Sequence, residues 1–199
     1  MAPATEPRLA VIGTGRSGSG YLAALLNAAG VTCGHEQWWN PQGERTAGLA
    51  ADSSWCAVPD LTRFSGTIGH QVRNPLHTVA SLTQLPDHGP YAAWRERIMG
   101  PLGGDPFEDA VRVVVEWNAA CERLTSFRWR VEDTDADLIT ELGAAAGVAV
   151  SAGAAADALA STAGNVNDHG TDHHLHWGDL PYTHATNLLA DMAERYGYR

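Results

Sequence analysis

The stretch "VIGTGRSGSGYLAALL", residues 11–26, constrains the fold more than any other in the chain. The apolar run "RLAVIG" at 8–13 reads as a buried strand bounded by Gly13. A turn of small residues follows. From Ser19 to Ala29 the apolar positions Tyr21, Leu22, Leu25 and Leu26 recur at helical spacing, and Gly30 stops the pattern. With "VTC" at 31–33 as a second strand, the first forty residues read as strand, loop, helix, strand. Such a joint aims several backbone N–H groups and the positive end of a helix at one point, which favours an anion there.

The rest of the chain repeats the alternation. "TIGHQVR" (67–73) predicts another strand, and Asn74 with Pro75 suits the N-cap and first turn of a helix running to about Leu85. "DPFEDAVRVVVEWNAACERL" (105–124) is the longest helical pattern, "FRWRV" (127–131) alternates like a strand, and "DTDADLITELGAAAGV" has helical ends. Residues 151–164 are nearly all small, a loosely held helix or a surface loop, and a last helix spans about Tyr182 to Tyr196. Between 34 and 64 the chain is rich in tryptophan and turn residues, with one short helix expected around "SSWCAVPDL". Strands alternating with helices predict an α/β three-layer sandwich around a mostly parallel sheet, one domain over 1–199 with a flexible start at 1–7.

Charge narrows the ligands. A net charge of −10 is at odds with a broad nucleic-acid surface, so any anion must be held locally. All 13 basic side chains are arginines, so lysine chemistry is excluded unless a partner supplies it. Cys33, Cys56 and Cys121 lack metal-type pairing and read as reduced thiols. No apolar run is long enough for a membrane span, and the polar start "MAPATEPR" lacks a secretory pattern, so the expected location is cytoplasmic.

"GRSGSGYLAALL" resembles the loop that holds the 5′-phosphosulfate in sulfotransferases dependent on PAPS (3′-phosphoadenosine 5′-phosphosulfate), whose usual form is R/K-S-G-T-T followed by a helix. Gly20 stands where that family has its second threonine. "VRNPLHTVAS" (72–81) is similar to the family's 3′-phosphate element, with Arg73 ending a strand and Ser81 in the next helix. "CGHEQWWNP" (33–41) resembles the C-G-E-E segment of tyrosylprotein sulfotransferases, which puts Glu36 at the position of the catalytic base, with His35 as a competing base. "RWRVED" (128–133) and the closing helix with its Y-G-Y end are weaker echoes of the same family.

The resemblance implies a P-loop NTPase-like sulfotransferase fold and transfer of a sulfuryl group from PAPS to a small-molecule, glycan or peptide hydroxyl. Arg16 would neutralise charge on the transferring group, and Glu36 or His35 would accept the hydroxyl proton. Arg16, Ser17, Gly18, Ser19, Gly20 and Tyr21 would hold the 5′-phosphate, Arg73 and Ser81 the 3′-phosphate, and no metal is called for. Trp38, Trp39 and Trp55 are candidates for either an acceptor wall or core. A nucleotide kinase is the nearest rival; it needs a loop lysine and a strand-ending acid for Mg²⁺, and neither is read here. A non-catalytic nucleotide-binding module is the other, and it should lack Arg16 or Glu36. The His-rich stretch "DHGTDHHLHW" (168–177) reads as a polar lid or solvated loop rather than a metal site.

Overall fold

In a computed structural model of the chain, residues 5–85, 90–162 and 175–199 are described. The chain begins with β1 (Leu9–Ile12), whose four residues are all buried, and passes through the loop 13–18 into α1 (Ser19–Ala28). Gly30 ends the helix with φ 89°, and the Val31 N–H bonds back to the Leu26 carbonyl at 2.8 Å. That closure engages Val31, so β2 is Cys33–His35, two residues later than the expected 31–33. Asn27 fixes its start: the side chain accepts from the Cys33 N–H and donates to the Cys33 carbonyl.

A strand that the residue pattern does not announce follows, β3 (Ala51–Ser53). Its sequence, Ala-Asp-Ser, has little β character, and it is a strand because it is clamped between β1 and β2 with Leu9 and Cys33 both opposite Ala51. A 3-10 helix, Trp55–Arg63, leads to β4 (Thr67–Val72). Then come α2 (Pro75–Leu82), α3 (Pro90–Met99), α4 (Pro106–Glu122) and β5 (Arg128–Arg130). The chain closes with α5 (Ala136–Ala145), α6 (Ala152–Ser161) and α7 (His184–Arg195). α2 stops at Leu82, short of Leu85, and α3 lies in a stretch for which the sequence suggests no element. Residues 152–161 are a helix capped by Ser151, and α7 starts two residues after Tyr182 because Thr183 and Thr186 form a capping box.

The five strands form one sheet in the order β2-β3-β1-β4-β5, and every pairing is parallel. Helices cover both faces, as a parallel sheet requires. α1, α5 and α6 pack on one side around Leu22, Leu26, Ile139 and Ala155. The 3-10 helix, α3 and α4 pack on the other with Trp38, Trp39, Trp94 and Trp117, and α2, α4 and α7 continue that layer around Val79, Val114 and Leu189. β1 is central, and the chain leaves it for one side of the sheet before crossing to β4 on the other. In open α/β sheets ligands bind at the carboxyl ends of the strands beside such a switch point.

Of the expected flexible start only residues 5–7 are described, and Pro7 is buried. Most of the His-rich stretch lies outside the described residues. Among the described residues no group of His, Cys, Asp or Glu could hold a metal, and no helix is long and apolar enough to cross a membrane.

Candidate functional site

The loop between β1 and α1 is seated from below by β4. Gln71, 1% exposed, donates from Nε2 to the Ser17 carbonyl at 2.8 Å. Gly13 must be glycine: a Cβ there would lie 2.4 Å from the Gln71 carbonyl and 2.6 Å from Ser17 Oγ. Gly18 takes φ 96° as the N-cap of α1, a left-handed conformation that needs no Cβ, and Val131 stands against it from the end of β5.

α1 starts without a side-chain cap. Asn74, Asp105, Asp135, Ser151 and Thr183 cap α2, α4, α5, α6 and α7 with their side chains, but the N-cap of α1 is Gly18, which has none to offer. The first helical bond is Leu22 N–H to the Gly18 carbonyl, so the N–H groups of Ser19, Gly20 and Tyr21 precede it and face the mouth of the loop. Tyr21 contributes there through its backbone, because its ring packs on the α5 and α6 side of the core.

Two arginines converge on the same place. Arg16 Nε donates to Ser81 Oγ at 2.7 Å, and Arg73 Nη1 donates to the Arg16 carbonyl at 3.2 Å. Arg16, Arg73 and Ser81 therefore form one cluster drawn from three elements. Neither arginine has an acidic partner among the described residues. Burial, and then the charge of Arg73, work against the Arg16 guanidinium and lower its pKa, a cost that a bound anion relieves. Ser81 accepts from Arg16 and keeps its own proton to donate.

The base candidates lie on the other flank of the helix start. Ser19 Oγ and His35 Nε2 are 3.0 Å apart, and the same His35 nitrogen is 3.5 Å from Glu36 Oε1. His35 is exposed and Glu36 is largely covered. Because Ser19 and Glu36 meet one nitrogen, they compete for it, so this is no serine-histidine-acid relay, which needs the acid on the opposite nitrogen.

Glu36 has φ 56° and Arg16 φ 72°, and among the described residues these are the two non-glycine positions with left-handed backbone. Strain of this kind persists only where surrounding structure enforces it. For Glu36 the enforcing residue is Asp52. Fully buried in the middle of β3, it accepts from the Gln37 N–H on Oδ1 and from the Trp38 and Trp39 N–H groups on Oδ2, at 3.1 to 3.2 Å. Burial pushes its carboxyl above the usual carboxylate range, against the pull of those three donors. Asp52 is the middle residue of β3, and the sequence reading missed it together with that strand. Its two oxygens face N–H donors inside the core, an arrangement that serves a turn and repels a cation. A clue was present in sequence, an acid flanked by small residues between two strands, but short strands of this composition do not stand out.

The tryptophans divide. Trp38 and Trp39 are 3% exposed and belong to the core, so the acceptor-wall alternative falls for them. Trp55 is partly exposed, packs edge-on against Trp94 at 4.9 Å and lies beside Gly15 of the loop. All three cysteines are free and buried; burial pushes the Cys33 thiol up to about 12 and the Cys56 and Cys121 thiols higher, so none is a nucleophile at neutral pH.

Compared with known proteins, the chain matches no family model, no curated protein and no solved structure.

Proposed function

We propose that the chain is a PAPS-dependent sulfotransferase that moves a sulfuryl group from PAPS to a hydroxyl acceptor, within a P-loop-like sulfotransferase fold. One observation carries the reading: the two strained non-glycine residues, Arg16 and Glu36, are both among the three, with His35, that the sequence reading assigns to catalysis, and they flank the one uncapped helix start among the described α-helices with assigned caps. The cluster of Arg16, Arg73 and Ser81 suits a ligand with more than one phosphate, since two guanidinium groups without carboxylate partners sit within reach of each other.

In this reaction the acceptor oxygen bonds to sulfur in line with the bridge to the 5′-phosphate, and that bridge breaks. The hydroxyl proton goes to Glu36, or to His35 beside it. Arg16 and the N–H groups of Ser19, Gly20 and Tyr21 offset the charge gathering on the departing phosphate. Arg73 and Ser81 hold the remaining phosphate. Ser17 and Gly18 set the path of the loop, and Ser19 keeps His35 in place.

The kinase alternative is weakened by Asp52, whose oxygens are taken by N–H donors, and by the absence of lysine from the chain. Calorimetric titration with 3′,5′-adenosine bisphosphate, beside ATP with Mg²⁺, separates the readings. Binding of the bisphosphate alone is expected. Binding of ATP with Mg²⁺ and not the bisphosphate would replace sulfuryl transfer with phosphoryl transfer. For the base, Glu36→Gln is expected to keep bisphosphate affinity and lose turnover, and retained turnover would hand the role to His35.

A further inference from the structure

The last residues of the chain fold back along β5, the edge strand of the sheet. Arg128 stacks on the Tyr196 ring at 4.5 Å, Arg130 donates to the Gly197 carbonyl at 2.9 Å, and the Arg130 guanidinium lies over the Tyr198 ring. An edge strand needs cover of this kind, so these contacts alone imply only stability.

The Tyr198 hydroxyl goes further. It donates to Glu132 Oε2 at 2.5 Å, while Glu132 Oε1 accepts the backbone N–H of Asn74 at 3.3 Å. Asn74 is the N-cap of α2 and follows Arg73, which holds the Arg16 carbonyl. The neighbouring residue, Val131, stands against Gly18 beside Gln71, with Cγ2 only 3.0 Å from where a Gly18 Cβ would stand. The segment 131–132 therefore touches both halves of the site, the loop through Val131 and the Arg73 joint through Glu132, and the chain end holds that segment in place.

We propose that Tyr198 and Glu132 are positioning residues for the anion site: the chain end fixes Glu132, Glu132 fixes Asn74 at the start of α2, and that joint sets Arg73, just before it, and Ser81, within α2, against Arg16. This rests on the reading that the loop binds the donor. Burial and the bond to Glu132 keep the Tyr198 hydroxyl protonated, as a donor must be.

The test measures amide hydrogen exchange and calorimetric affinity for 3′,5′-adenosine bisphosphate in the full chain and in Tyr198→Phe, Glu132→Ala and Glu132→Gln. Expected for Tyr198→Phe is faster exchange at Asn74 and in the loop 16–21 with α5 and α6 unchanged, and affinity weakened about threefold to tenfold, the worth of one net hydrogen bond. Glu132→Ala should weaken binding further, and Glu132→Gln, which keeps an acceptor for Asn74, should recover most of it. Unchanged exchange at Asn74, or exchange that quickens equally everywhere, overturns the proposal whether or not the bisphosphate binds. Faster exchange at Asn74 with unchanged affinity overturns it too. If the unaltered chain takes no bisphosphate, the donor reading fails instead, and the exchange at the loop still decides whether the chain end acts on it.

Discussion

Acid should unfold this protein through His70. The residue lies in β4 beneath the loop, with no exposed surface; its Nε2 is 2.9 Å from Asn118 Oδ1, and its Nδ1 has no partner among the described residues. The Asn118 amide donates to the Val114 carbonyl, so its oxygen faces His70 and the imidazole donates from Nε2. Burial lowers the pKa from 6.5 to about 4, only partly opposed by the Asn118 bond. Above pH 6.5 the imidazole is neutral in both states and contributes nothing to pH dependence. Between 6.5 and about 4 the unfolded chain binds a proton that the native chain refuses, so stability falls as pH falls through that window. The loss is about 2 kcal/mol at about pH 5 and about 3 kcal/mol once the native imidazole is also charged. With a urea dependence of about 2 kcal/mol per molar for a chain of this size, the midpoint should drop by about 1 M between about pH 7.5 and about pH 5. Carboxylates titrate in the same range, so the quantity to compare is the drop in the parent minus the drop in His70→Gln, whose amide can still donate to Asn118. An equal drop in both would refute the reasoning. If the variant does not fold, the imidazole shifts of the parent during an NMR titration give the same answer, and a His70 that protonates near 6.5 while the chain is folded sinks it.

Other consequences can be checked together. Asp52→Asn should cost about 2 to 4 kcal/mol in urea unfolding, because an amide cannot accept from all three N–H groups of the Glu36 turn, and a negligible cost would mean that the carboxyl is protonated already. Gly13→Ala should destabilise by about 1 to 3 kcal/mol, since its methyl would press on the Gln71 carbonyl, a backbone atom with nowhere to go. Ser81→Ala should leave stability nearly unchanged and weaken bisphosphate binding about tenfold by calorimetry, by removing the acceptor that aims Arg16; full affinity would show that Arg16 needs no guide. Arg73→Ala should weaken it more.

The sequence alone announced elements whose periodicity is long and whose ends are marked. β1 and α1 follow from an apolar run, a glycine turn and a helical stripe closed by Gly30, and α4 from seventeen residues opened by an Asp-Pro start. The cations of the site were legible for a related reason: with few arginines and no lysine, one inside a glycine loop and one at a strand end stand out. β3, α3 and Asp52 were not. A three-residue strand of Ala, Asp and Ser has no pattern of its own, and only the hydrogen bonds of β1 and β2 on either side make it a strand. The role of Asp52 depends on donors thirteen to fifteen residues away, and the bond from Arg16 to Ser81 spans sixty-five. Local chemistry decides which residues can turn, cap and carry charge; which of them meet is decided by the parallel sheet, because it brings the carboxyl ends of strands far apart in the chain to one edge.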